Sequence, residues 1–189
     1  MSSSLITPNH KPCLSRRRFL SGCASLTGIV LASPMLAIAA GENRSLAFRH
    51  THTGERKSVT YWRDGEYQSD SLQILDHLLR DHRTGESIRM DRALLDMLYQ
   101  LQQATGATGE FEIISAYRSP KTNTMLRNKS GGVAKRSLHM QGRAIDIRLC
   151  GCDLKTLRDS AVAIQAGGVG YYPKSNFIHV DTGRFRYWS

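Results

Sequence analysis

Ser137-Leu138-His139-Met140-Gln141-Gly142-Arg143-Ala144-Ile145-Asp146 is the stretch on which the reading of this chain turns. Its first part, with a glycine and no periodicity, reads as a loop. From Ala144 the residues become apolar, and a strand is expected over 144–149. A histidine on the loop and an aspartate on the strand therefore stand seven residues apart. A second histidine lies further on, in Asn176-Phe177-Ile178-His179-Val180-Asp181, where another strand is expected over 177–180. Imidazole nitrogen and carboxylate oxygen are both good zinc donors, and a catalytic zinc keeps three protein ligands with a fourth position open for water. His139, Asp146 and His179 would supply that set. Spacing alone leaves a second reading open, a hydrogen-bonded loop histidine with an aspartate capping a turn. The other mature histidines, His50, His52, His77 and His82, read as surface or structural.

Outward from that stretch, helical and strand patterns mix without βαβ regularity. Phe48 to Thr53 and Lys57 to Tyr61 read as two strands around Thr53-Gly54-Glu55, a hairpin. Apolar residues at 72, 74, 75, 78 and 79 have helical spacing over 70–81, and Leu94, Leu95, Leu98 and Leu101 repeat it over 91–105, with Gly106 as its end. A short strand is expected over 111–115. A helix is expected from Pro120 to Asn128, with Pro in its first turn. Residues 127–136 are basic and glycine-rich and read as a loop; a further helix is expected over 153–166. These elements imply an α+β fold: one domain with an antiparallel sheet flanked by helices.

The N-terminus reads as an address. Ser15-Arg16-Arg17-Arg18-Phe19-Leu20 fits the twin-arginine export signature, an uncharged apolar run extends from Gly22 to Ala40, and Ala37-Ile38-Ala39 is an A-x-A site. The expected organisation is a signal peptide over 1–39, a linker over 40–47 and a domain over 48–189, with the mature protein in the periplasm. A lipoprotein-like Leu20-Ser21-Gly22-Cys23 precedes the apolar run instead of following it. No later apolar stretch approaches the ~20 residues of a membrane span. Four of the 26 Lys and Arg precede Ala40 and none of the 16 acids does, leaving 22 basic against 16 acidic residues, a net +6. That balance suits a solvated basic surface or attraction to a polyanion such as cell-wall carboxylates. Export and the lack of a basic-aromatic motif argue against nucleic acid. Cleavage removes Cys13 and Cys23; a bridge between the remaining Cys150 and Cys152 would close a strained ring.

The pattern S-x-H-x-x-G-x-A-x-D with a later F-x-H-x-D resembles the zinc D-alanyl-D-alanine peptidase family (peptidase M15-like), which shares its fold with the hedgehog signalling domain. The likeness starts at Ile114-Ser115-Ala116-Tyr117-Arg118-Ser119 and runs through Gly167-Gly168-Val169-Gly170-Tyr171-Tyr172-Pro173 to Asp181-Thr182-Gly183. With the twin-arginine leader, it is nearest to that family's murein endopeptidases and covers roughly residues 46–189. The resemblance implies Zn2+ held by His139, Asp146 and His179, with Arg118 directed at a substrate carbonyl and Ser137 and Gly142 shaping the ligand loop. It implies hydrolysis of peptide cross-links in peptidoglycan, including the direct diaminopimelate–diaminopimelate type, with the peptide stems as partner. Basic residues near the ligand loop, Arg127, Lys129, Lys135 and Arg136, would meet stem carboxylates. Many relatives carry an acid three residues before the last histidine ligand, as general base; here that position is Asn176. Asp181 is the nearest carboxylate, either as base or as a partner holding an imidazole. A D-alanyl carboxypeptidase and a non-catalytic, zinc-bearing wall-binding module are the alternatives.

Overall fold

Alternating burial builds the sheet. A computed structural model describes residues 43–189. The signal peptide expected over 1–39, most of the expected linker, Cys13 and Cys23 lie outside the described residues. In β1 (Arg44–His50) Leu46, Phe48 and His50 turn inward while their neighbours face outward. The strand thus begins inside the segment expected as linker, because Leu46 is already a core residue. β2 (Arg56–Arg63) pairs antiparallel with it, the expected hairpin, and β3 (Glu66–Tyr67) extends that edge.

The helices follow their caps. α1 (Ser69–Leu78) buries Leu75 and Leu78. α2 (Arg92–Thr105) starts where the Asp91 carboxylate accepts from Ala93 N–H and stops at left-handed Gly106. β4 (Phe111–Ser115) leads into α3 (Pro120–Lys129), capped by Ser119. β5 (Ala144–Leu149) is followed by α4 (Leu154–Ile164), capped by Asp153. The chain closes with β6 (Gly168–Tyr172), β7 (Phe177–Asp181) and β8 (Arg186–Trp188). β3, β6 and β8 had no counterpart among the expected strands.

The eight strands form one sheet in the order β3-β2-β1-β4-β5-β7-β6-β8. Most neighbours are antiparallel, but β1/β4 and β6/β8 are parallel, so the sheet is mixed. The α+β domain expected from the sequence is the fold observed. Phe48, Phe111, Ile113, Ile147, Ile178 and Val180 point to one face, where α1, α2 and α4 supply Leu75, Leu98, Leu101 and Leu157 to a shared core. Each such residue removes most of its side chain from water, about 1.5–3 kcal/mol for a Leu, Ile or Phe. The alternate residues occupy the opposite face. There Arg49, Glu112 and Arg148 form a cross-strand charge row, and Asp146 and His179 stand further along the sheet. None of the described helices is long and apolar enough to cross a membrane.

Candidate active site

Register alone brings two of the three expected ligands together. Asp146 on β5 and His179 on β7 are direct partners across an antiparallel pair, with side chains on the open face. Asp146 Oδ1 lies 2.9 Å from His179 Nδ1. The third, His139, comes from the Leu138–Gln141 turn of 3-10 helix, and its Nε2 is 3.1 Å from His179 Nδ1 and 3.3 Å from Asp146 Oδ1. Ligand atoms from all three lie within 4.8 Å of one another.

The turn that presents His139 is built by the residues around it. Ser137 accepts from the His139 N–H, and Gly142 ends the turn at φ +67°. A Cβ at Gly142 would stand 2.8 Å from the Arg89 carbonyl oxygen, so both backbone angle and space require glycine. The imidazole is fixed from behind: His139 Nδ1 is 2.7 Å from the Ala116 carbonyl oxygen, to which it can only donate. Ala116 belongs to the Ser115–Ser119 turn, held in place by Tyr117 N–H on Leu79 O and Ser119 N–H on the Asp81 carboxylate. An irregularity in β4 between Ile113 and Ser115 shifts the register, so that Ser115 pairs with Asp146 on the open face while Ile113 stays in the core. A bulge of this kind re-aims a side chain beside a site.

This donor set fits a divalent cation. With Nδ1 donating to Ala116, His139 turns its lone pair at Nε2 inward. Asp146 contributes only acceptors. His179 Nε2 donates to Asp181 Oδ2 at 2.8 Å, so its Nδ1 is the atom facing the other two. Two nitrogen lone pairs and a carboxylate oxygen converging at such distances require a positive charge between them. Without metal, a proton serves: burial alone would lower His179, but hydrogen bonds to Asp146 and Asp181 outweigh it and raise it to about 9. Burial keeps His139 low and neutral. Asp146, despite its burial, is held well below the usual carboxylate range by the two imidazoles. A metal ion would replace that shared proton.

Asp181 lies behind His179 and is 0% exposed. Its Oδ1 accepts from Gly168 N–H, Gly183 N–H and Arg186; its Oδ2 accepts from His179 and Arg186. Every accepting direction is filled and water cannot reach it. Asp181 thus stands where it holds the His179 imidazole through Nε2. Arg118 is 9% exposed; its Nη2 reaches Ser115 Oγ and Asp146 Oδ2 at 3.4 Å each, and its Nε is buried without a partner among the described residues. Asn176 adopts φ +52° at the end of the Pro173–Ser175 turn, a backbone position that asparagine tolerates well.

The trio opens into a cleft of ≈ 470 Å³. One wall is the loop from Ser130 to Ser137, tied down where Asn123 donates to the Ala134 carbonyl. Of the four basic residues expected to meet substrate, only Arg136 lines the cleft. The other wall is aromatic: Tyr172, Phe177 and Trp188. Sequence reasoning missed this wall and Arg186. The signal available was the alternation of Gly168 and Gly170. β8 lies beside β6, and the absent side chains let Arg186 and Trp188 reach across to Asp181 and His179. His50 is buried and structural, its Nδ1 accepting from His52 and Thr53 N–H groups. Cys150 and Cys152 are free thiols outside the cleft.

The family model described as Peptidoglycan L,D-endopeptidase MepK, a peptidase M15 model, matches residues 38–188. The chain is 39% identical over 176 residues to Peptidoglycan L,D-endopeptidase MepK of Escherichia coli (strain K12), covering 92% of this chain and 97% of that protein. It is 42% identical over 177 residues to the Probable peptidoglycan L,D-endopeptidase MepK of Haemophilus influenzae, covering 92% of this chain and 95% of that one.

Proposed function

The chain belongs to the peptidase M15 family of peptidoglycan L,D-endopeptidases, and from that membership we propose that it is a zinc-dependent murein endopeptidase that hydrolyses peptide cross-links, including direct diaminopimelate–diaminopimelate links. The observation that carries this reading is the convergence of His139, Asp146 and His179 within 4.8 Å beside a cleft that also holds Arg118. These three residues would hold the ion. A zinc ion held there would lower the pKa of a water toward ~7 and would act as a Lewis acid toward a carbonyl oxygen.

The chain's own residues do the rest. Ala116 and Asp181 fix the two imidazole planes from behind, which saves reorganisation when the ion is held. Arg118 brings a permanently charged guanidinium whose buried Nε has no partner among the described residues, a group suited to an oxygen that gains negative charge during attack. Asp146 keeps Arg118 close to the trio through its second oxygen. Arg136 at the mouth adds positive charge suited to stem-peptide carboxylates. The leader over residues 1–39 assigns the mature protein to the periplasm by the twin-arginine route, where this substrate lies.

The test is a digest of purified cross-linked muropeptides by the mature protein, read by mass, with and without chelator and beside His139→Ala. Conversion of dimers to monomers only by the untreated, unsubstituted protein supports the reading and identifies the bond cut. Intact dimers that lose terminal D-alanine indicate a carboxypeptidase instead. Stoichiometric metal with no change in any muropeptide indicates a wall-binding module.

A further inference from the structure

The Trp188 indole and the Tyr172 phenol meet on the aromatic wall of the cleft, with Nε1 2.8 Å from the phenol oxygen. An indole N–H only donates, so in this bond the phenol oxygen is the acceptor and keeps its own proton for another partner. No described residue accepts that proton. Tyr172 is 37% exposed and lines the same cleft as Arg118.

The wall that holds the phenol is constructed. Its ring stacks on Phe177, the direct cross-strand partner, with centroids 4.7 Å apart. Trp188 reaches it only because residue 170 is glycine, where a Cβ would come within 2.7 Å of the indole. The same indole packs against the His179 ring at 5.3 Å and lies under the Arg186 guanidinium at 5.0 Å. The hydroxyl is thus tied to the rigid framework that also holds one imidazole of the trio. Its free proton belongs to a cleft that also holds the charged donors Arg118, Arg136 and Arg186.

We propose that Tyr172 is a substrate-binding residue whose hydroxyl donates to an acceptor oxygen of the stem peptide, with Trp188 as the positioning residue that holds the phenol in place. This rests on the reading of the cleft as a peptidoglycan peptidase site. Tyr172→Phe keeps the ring on Phe177 and removes the hydroxyl, as donor to substrate and as acceptor from Trp188; Trp188→Phe removes the bond that orients the phenol and trims the ring packed on His179 and Arg186, which the metal content reads separately.

The experiment uses the metal-loaded mature protein and a purified cross-linked stem-peptide dimer as probe. Calorimetric Kd, KM, kcat and metal content are measured for the unsubstituted protein, the two single variants and the double variant. Tyr172→Phe is expected to weaken dimer binding by about tenfold, the worth of one good hydrogen bond. KM should change more than kcat, and metal content should not change. Trp188→Phe is expected to cost less, and the double variant no more than Tyr172→Phe alone, since Trp188 acts through the hydroxyl. Wild-type Kd and KM in Tyr172→Phe overturn the proposal while leaving the peptidase reading intact, provided the unsubstituted protein cleaves the dimer. Losses that simply add in the double variant overturn the role of Trp188. An unsubstituted protein that neither binds nor cleaves the dimer overturns both the peptidase reading and this one.

Discussion

Asp146 Oδ1 and His179 Nδ1 stand 2.9 Å apart because the two residues are direct partners in an antiparallel register, 33 positions apart in the chain. Two rigid strands therefore fix one edge of the candidate metal centre, and only His139 depends on a loop. That loop in turn is pinned by the Ser137 cap at its start and the left-handed turn at Gly142, and the Ala116 carbonyl fixes the imidazole itself. The arrangement leaves little freedom for the ligand atoms, the condition under which a metal site keeps its geometry.

The buried chain from Arg186 through Asp181 to His179 gives the first expectation. Asp181→Asn removes the charge that orients the imidazole and leaves Arg186 facing a neutral amide. Metal affinity should fall by about 10–100-fold, as for other partners of ligand histidines. Titration of the variant with Zn2+, alongside turnover at saturating Zn2+, checks this. Turnover restored by excess metal fits a positioning role. Turnover lost with the site full returns Asp181 to the role of base.

Arg118 gives the second. Arg118→Ala should lower kcat on the order of 10²–10³-fold, the scale for loss of one charged donor to a developing oxyanion. Metal content should remain near one per chain, because Arg118 touches only the outer oxygen of Asp146. Arg118→Lys should recover little of the loss, since one ammonium cannot reproduce the planar fork. Full activity in Arg118→Lys would contradict this role.

What the sequence disclosed and what it hid follow from the range of the interactions involved. Caps are local: Asp91, Gly106, Ser119 and Asp153 mark helix ends by contacts within four residues, and each end lies where the sequence placed it or within one or two residues. Residue type and spacing made His139, Asp146 and His179 candidates but left a structural reading open, and a family pattern tipped the choice, because 40 residues separate His139 from His179 and nothing local records their meeting. Ser115 reaches the site through a register shift that no hydrophobic alternation reveals. β6 stayed unseen because glycine at 168 and 170 erases strand propensity, and β8 because three residues give no period. Those same glycines make room for Trp188 and Arg186, so the feature that hides the strand also shapes the site.

Gly170 gives the third expectation. Gly170→Ala puts a Cβ 2.7 Å from the rigid indole of Trp188, which has His179 on one side and Arg186 on another. Overpacking of this kind costs about 1–3 kcal/mol. The variant should show a lower urea midpoint and a shifted indole emission. Its metal affinity should also fall, because the displaced ring bears on His179. An unchanged midpoint with unchanged emission would mean that β8 moves freely aside.

Asp81 gives the last, a pH effect located away from the metal ligands. Its carboxylate accepts from Ser119 and Arg83 N–H groups and so holds the turn that carries Ala116 and Arg118. Burial would raise this carboxyl, but the hydrogen bonds from Thr122, Arg83 and Ser119 outweigh it and hold it at about 2, against 3.8 for the free group. A folded-state pKa below the unfolded one means that the unfolded chain binds the proton more readily. The stabilisation is therefore complete above about pH 4 to 5 and fades as pH falls toward 2. Its size is on the order of 1–2 kcal/mol after allowance for solvent screening. Urea midpoints measured from pH 6 to pH 2 should fall more steeply in the unsubstituted protein than in Asp81→Asn. The variant should start lower at pH 6 because it keeps the shape but not the charge that two N–H groups share. The two curves should converge at the acid end. Parallel curves across the whole range would mean that Asp81 titrates alike in the folded and unfolded chain, and that the turn is held by its other bonds.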